Sequence, residues 1–162
     1  MSVYTKKGDK GKTGVLNGKR ISKDSLLIEA IGAIDEVNSW LGMVGGLGGI
    51  QKDLMTISSI LAGAKLEFVL GKTKKLEQEI DRLDKLLPSL THFILPGGGK
   101  IGSELHFARV LVRRAERSLV SLEIKNYKLE ILAYMNRLSD YLFMKAREQN
   151  FKKGIKEKIW KA

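Results

Sequence analysis

Apolar side chains return every three or four positions along five stretches of this chain, and no stretch shows the period of two that marks a half-buried strand. The first stretch spans about 24–47, with Leu27, Ile31, Ile34, Leu41 and Val44 at helical spacing, and it dies in the run Gly45-Gly46-Leu47-Gly48-Gly49. A second, from about 50 to Gly71, places Ile50, Leu54, Ile57, Leu61, Ala64 and Phe68 on one stripe. The third takes Thr73 as N-cap, repeats Leu76, Ile80, Leu83 and Leu87, and stops at Pro88. The fourth, about 101–122, carries Leu105, Ala108, Val112, Ala115, Leu119 and Leu122. The fifth, about 128–150, carries Leu132, Met135, Ser139, Leu142 and Ala146. These rows are core packing. The expected fold is all-α, a five-helix bundle with short connections.

Two segments stand outside that pattern. Residues 4–23 have few apolar side chains and too many glycines for a helix. They offer backbone N–H groups, the hydroxyls of Thr5 and Thr13, and the ammonium groups of Lys6, Lys7, Lys10, Lys12 and Lys23, the parts from which polyphosphate cradles are made. No Walker A spacing is present, and composition alone favours a disordered basic tail. The second segment, 89–100, contains Phe93-Ile94-Leu95-Pro96-Gly97-Gly98-Gly99.

The 162 residues suit one domain, 43% of them hydrophobic, with no run long enough to span a bilayer and no apolar leader. A soluble, cytoplasmic protein without a membrane partner is expected. The absence of cysteine excludes a disulfide framework and a thiolate nucleophile, and His92 and His106 are too few for a histidine-rich metal cluster. His106 reads as a hydrogen-bonded structural residue. A formal charge of +11 invites a nucleic-acid partner, but only 7% of residues are aromatic and no stacking platform appears. A small polyanion suits the charge as well.

The fourth helix has a second face. Arg109, Arg113 and Glu116 fall at i, i+4 and i+7, flanked by Arg114 and Arg117. Guanidiniums grip phosphate oxygens in a fork, although a solvated face of Arg–Glu pairs has the same pattern. Asp35 adjoins the Ile31/Ile34 stripe, where it is either partly buried and in need of a cation such as Arg109, or part of an exposed acidic turn. Asn136-Arg137-Leu138-Ser139-Asp140 sets hydrogen-bonding groups beside the core of the fifth helix.

Together these blocks resemble the PduO-type ATP:cob(I)alamin adenosyltransferases. The match runs through Tyr4-Thr5-Lys6-Lys7-Gly8-Asp9-Lys10-Gly11 with Arg20 and Lys23, then Ile34 to Gly42, Phe93 to Gly98, Leu105 to Arg109 with Arg113 to Arg117, and Asn136 to Asp140. The blocks keep the family's order and cover nearly the whole chain. The resemblance implies transfer of the 5′-deoxyadenosyl group of ATP to cob(I)alamin, with Mg²⁺ accompanying ATP. It also implies a homotrimer with active sites between subunits and a flexible Gly/Lys-rich N-terminal loop. By position, Thr5, Lys6, Lys7, Gly8, Thr13, Gly14, Lys23, Arg113, Arg114, Glu116, Arg117 and Asn136 would bind ATP. Asp35 and Arg109 would form an intersubunit salt bridge, Arg113 would act on the reacting nucleotide, and Phe93 would displace the lower ligand of cobalamin. No metal-ligating residue is assigned. A reductase and an adenosylcobalamin-dependent acceptor enzyme are possible partners.

The expected organisation is one domain, 1–162, with a nucleotide-binding loop (1–23), a bundle (24–150) and a basic tail (151–162) that reads as a disordered, solubilising end. Gly99 and Gly102 occupy places where bulkier residues are expected. A basic nucleic-acid-binding module would explain the charge but leave Asp35, Phe93 and Asn136 without work. A bare structural scaffold would leave the N-terminal loop idle.

Overall fold

The computed structural model describes residues 4–122 and 128–161. Its helices are α1 (Leu26–Val44), α2 (Gly48–Leu61), α3 (Gly71–Leu86), α4 (Lys100–Val120) and α5 (Lys128–Lys152). The apolar rows are the reason: Ile34, Val37, Leu41, Leu54, Ile57, Ala108, Val112, Ala115, Leu119, Met135, Leu138 and Leu142 are all fully buried. Helix α4 lies centrally, packed on α1 and α5, while α2 packs on α1 and α3 on α5. Ser25 caps α1, its hydroxyl accepting from the Ile28 N–H at 3.5 Å.

The N-terminal loop is not irregular throughout. Strands β1 (Lys12–Gly14) and β2 (Arg20–Ser22) pair antiparallel, with Thr13 opposite Ile21. Three residues per strand are too few to show a period of two, so the ribbon left no hydropathy signal. What organises it is Arg20, whose guanidinium donates to the carbonyls of Lys7 (2.5 Å) and Lys12 (2.9 Å).

Two helix boundaries differ from the expected ones. Helix α2 ends at Leu61, ten residues before Gly71, because the ribbon's turn docks there: the Leu16 N–H donates to the Ala62 carbonyl at 2.8 Å. Gly63 then takes φ +99°, with Asn17 so close that a Cβ would stand 2.9 Å from it. Phe68 is buried as expected, but from the extended connection, edge-on to Tyr134 at 5.1 Å. Thr73 does not cap α3. It is buried inside that helix, which begins after Leu70. The connection is tied down by Asp53, which pairs with Lys72 and accepts the Tyr134 hydroxyl at 2.9 Å.

The tail folds back as far as Trp160, whose N–H donates to the Phe93 carbonyl. Gly154 (φ +66°) turns the chain back after α5, and Ile159 bridges antiparallel to Ile94. The missing side chains at Gly98 and Gly102 also have a cause. The buried Asn150 amide accepts from the Gly99 N–H (3.0 Å) and donates to the Gly97 carbonyl (2.9 Å). A Cβ on Gly98 or Gly102 would sit 2.3 Å from that amide. At Gly99 the crowding comes from Ile155, 2.8 Å from a built Cβ.

Gly102→Ala should therefore expel Asn150 and lower stability by about 1–3 kcal/mol, the scale of two lost bonds and an orphaned backbone donor. Asn150→Ala should cost a similar amount, and chemical denaturation of the double variant should show strongly sub-additive losses.

Candidate active site

The ribbon, α1 and α2 enclose a cleft of about 610 Å³. Thr13, Gly14 and Lys23 line it from the ribbon, Asp35 and Asn38 from α1, and Met55 from α2. Four of the sequence-selected residues thus share one cavity. Lys23 also closes on the main chain at Gly8, where a Cβ would stand 3.3 Å from its Nζ. Thr5, Lys6 and Lys7 are exposed on the preceding turn, where Lys6 adopts φ +55° and lies over the Tyr4 ring at 5.8 Å.

Helix α4 holds a second basic surface. Arg113 is exposed, and its carbonyl accepts from Arg117 at 3.1 Å. Arg114 pairs with Glu36 of α1, and Glu116 accepts the Asn136 amide of α5 at 3.2 Å. Arg114 and Arg117 line a groove of about 260 Å³ with Leu26, Glu29, Ser118 and Ser121. The five-residue block on α5 mostly binds itself and α3. Arg137 reaches Glu77 (3.2 Å) and Asp140 (2.8 Å), and the Ser139 hydroxyl donates to the Asn136 carbonyl (2.8 Å).

Among the described residues of the single chain, no hydrogen bond or ion pair joins the ribbon cleft to the arginine face. Asp35 is exposed, not partly buried, because α1 turns it outward beside Glu36. Arg109 lies half-buried on α4 with a sequestered Nε that has no partner, and no ion pair connects it to Asp35. Burial first, and then the neighbouring Arg113, pull the Arg109 pKa below its ordinary value.

Phe93 is 80% exposed, its ring edge-on to Trp160 at 6.4 Å. Behind it, Leu95 to Gly98, His106 and Asn150 line a hollow of about 400 Å³. His106 is buried against Phe143, but its Nδ1 has no hydrogen-bond partner, so it is not the satisfied histidine the sequence suggested. Burial and then Arg109 lower its pKa.

Sequence reasoning missed two groups. Trp40 donates to the Glu104 carbonyl (2.9 Å) and meets the Phe107 ring at 4.6 Å with the planes tilted by 59°, an aromatic pair that includes a residue two positions from Arg109. Arg147, Glu157 and Trp160 form the other, and only Ile155, Ile159 and Trp160 among the tail's lysines hinted at it. No group of three or more His, Cys, Asp or Glu among the described residues could hold a metal ion, and none of the described helices is long and apolar enough to cross a membrane.

The chain belongs to the cobalamin adenosyltransferase family, whose family model matches residues 3–149. It is 40% identical to a corrinoid adenosyltransferase of Bacillus subtilis, over 96% of this chain and 90% of that protein. Identity to the corrinoid adenosyltransferase MMAB of Bos taurus is also 40%, over 98% of this chain and 76% of that one. Among solved structures, a variant PduO-type ATP:corrinoid adenosyltransferase from Lactobacillus reuteri, complexed with cobalamin and ATP, superposes with a TM-score of 0.93. It is 33% identical, and the match covers 99% of this chain and 97% of that one.

The buried, unpartnered His106 makes a pH prediction. Its folded pKa lies below the unfolded value near 6.5, so the unfolded chain takes up the proton first as pH falls. Its stabilising contribution is whole above about pH 6.5 and is lost as pH drops towards the folded pKa. Denaturation midpoints measured from pH 7.5 to 5 should fall less steeply for His106→Gln than for the unmodified protein.

Proposed function

We infer that this protein transfers the 5′-deoxyadenosyl group of ATP to cob(I)alamin. The carrying observation is similarity along the whole chain to an ATP:corrinoid adenosyltransferase complexed with both substrates. Cobalt(I) supplies the electron pair that forms the Co–C5′ bond. The C5′–O bond breaks, and triphosphate leaves with its electrons. No protein base or nucleophile is needed, which fits a chain without cysteine. The protein's work is to align cobalt with C5′ and to stabilise a highly anionic leaving group.

The residues divide that work. Thr13, Gly14 and Lys23 in the ribbon cleft, with Thr5, Lys6, Lys7 and Gly8 on the turn before it, hold the nucleotide. Arg113, Arg114 and Arg117 grip its phosphate oxygens, while Glu116 fixes Asn136 beside them. The Mg²⁺ that accompanies ATP is carried mainly by the phosphates. The loop orders further around ATP.

Because the single chain leaves the ribbon cleft and the arginine face apart, a second copy completes the site. An exposed Asp35 and an Arg109 with an unpartnered Nε satisfy each other across that boundary, in a homotrimer with three shared sites. Phe93, held out from the bundle, fills the space beneath the corrin and excludes the lower axial ligand, which makes cobalt(II) easier to reduce. A cytoplasmic setting, a reductase that supplies the electron and an adenosylcobalamin-dependent acceptor complete the reading, with no part for nucleic acid.

Mg-ATP and chemically reduced cobalamin should yield adenosylcobalamin and intact triphosphate. Pyrophosphate plus phosphate as the primary products would contradict the mechanism. Asp35→Asn should weaken assembly, since a stranded buried partner costs about 3–5 kcal/mol; light scattering that shows a stable monomer for the unmodified protein would rule out the shared site. Arg113→Lys should raise KM for ATP or lower turnover, because an ammonium cannot reproduce the guanidinium fork.

A further inference from the structure

We propose that residues 155–160 form a strap, latched by the Arg147–Glu157 ion pair, that sets the position of Phe93. Arg147, Glu157 and Trp160 are then positioning residues for the corrinoid step. The proposal rests on the role given to Phe93 above, but its geometric half stands without it.

The strap runs antiparallel to the Phe93 segment. The Leu95 N–H donates to the Lys158 carbonyl and the Trp160 N–H to the Phe93 carbonyl, both at 2.8 Å, on either side of the Ile94–Ile159 bridge. Side chains alternate across such a pair. Ile94 and Ile159 line a cavity of about 430 Å³ together with Leu87, Phe151 and Ile155. Phe93 lies outside that cavity and meets the Trp160 ring. A side chain 80% exposed has little packing of its own to fix it, so its direction follows from the backbone it rides on. That backbone is paired with the strap.

The strap in turn needs an anchor, because its lysines favour solvent. Arg147, only 2% exposed, supplies it from α5. Its Nε and Nη2 meet the two Glu157 oxygens at 2.7 and 3.2 Å, a forked pair, and Nη2 also donates to the Pro88 carbonyl at 2.7 Å. One guanidinium therefore fastens both the strap and the start of the 88–99 loop. Asn150, one turn further along α5, fastens the loop's other end at Gly97 and Gly99. The loop is pinned at both ends by α5 and at its middle by the strap. Losing Glu157 would leave the middle free and a buried guanidinium without its counter-ion.

The test uses full-length Glu157→Gln, Trp160→Ala, Phe93→Ala and the double variant Phe93→Ala/Glu157→Gln. Trp160→Ala leaves the Arg147 pair intact, so it still reports if Glu157→Gln is poorly folded. Hydrogen exchange at the Leu95 amide should quicken by about tenfold or more in Glu157→Gln and Trp160→Ala, as local opening becomes easier. Turnover from cob(II)alamin should fall by about tenfold in both, while KM for ATP and turnover from pre-reduced cob(I)alamin change by less than about threefold. The double variant should be no slower than Phe93→Ala alone, since the strap acts through that ring. Unchanged exchange at Leu95, or losses that multiply in the double variant, would overturn the proposal. Full cob(II)alamin turnover in Phe93→Ala, with quickened exchange in the strap variants, would instead overturn the role of Phe93 and leave the latch standing.

Discussion

One side-chain amide fixes how the end of α5 meets the loop before α4. Asn150, near the end of α5, donates to the Gly97 carbonyl and accepts from the Gly99 N–H. Those bonds fix where α4 begins, because its N-cap is Gly99. They admit no side chain at Gly98 or Gly102, which is why glycine stands at both. Once the start of α4 is set, its 3.6-residue period decides which side chains face the core and which face outward. Leu105, Ala108, Val112 and Ala115 go inward; Arg113, Arg114 and Arg117 do not. The same amide bounds the loop that presents Phe93. The basic face and the aromatic loop thus share a mechanical origin at the end of α5.

The fold was largely legible because it depends on helical periodicity, which a sequence carries openly. Rows such as Leu54, Ile57 and Leu61, or Ala108, Val112 and Ala115, could pack in no other way. What escaped were features set by single polar contacts. The end of α2 depends on one backbone bond from Leu16, and the two-stranded ribbon depends on Arg20 reaching two carbonyls. Thr73 has the chemistry of a cap yet is buried within α3, where tertiary packing overrode a local preference. The strap was invisible for a related reason: its few apolar residues lie among lysines, and its anchor, Arg147, looks like any surface arginine of a long helix.

Site residues show the same division. Residue types that suit phosphate were plain in the sequence, and the structure gathers Thr13, Gly14, Lys23 and Asp35 around one cleft. Their relation to Arg113 and Arg117 was carried by resemblance alone, and within one chain the two surfaces stay apart. Asp35 faces solvent while Glu36, its neighbour, takes Arg114. An unpartnered Arg109 Nε in a protein that satisfies most of its buried polar groups calls for an acceptor from elsewhere. Two half-sites and a stranded donor are the observations that support the proposed shared site.

Subunit complementation tests that boundary most directly. Lys23→Ala disables the ribbon half-site and Arg113→Ala the arginine half-site, so each variant alone should be nearly inactive. When the two are unfolded together and reassembled at equal amounts, a site that draws one half from each neighbouring subunit is intact in about one case in four. Activity should return to about a quarter of the unmodified level. If the mixture stays as inactive as its components while still assembling, both halves belong to the same chain and the shared-site account is wrong.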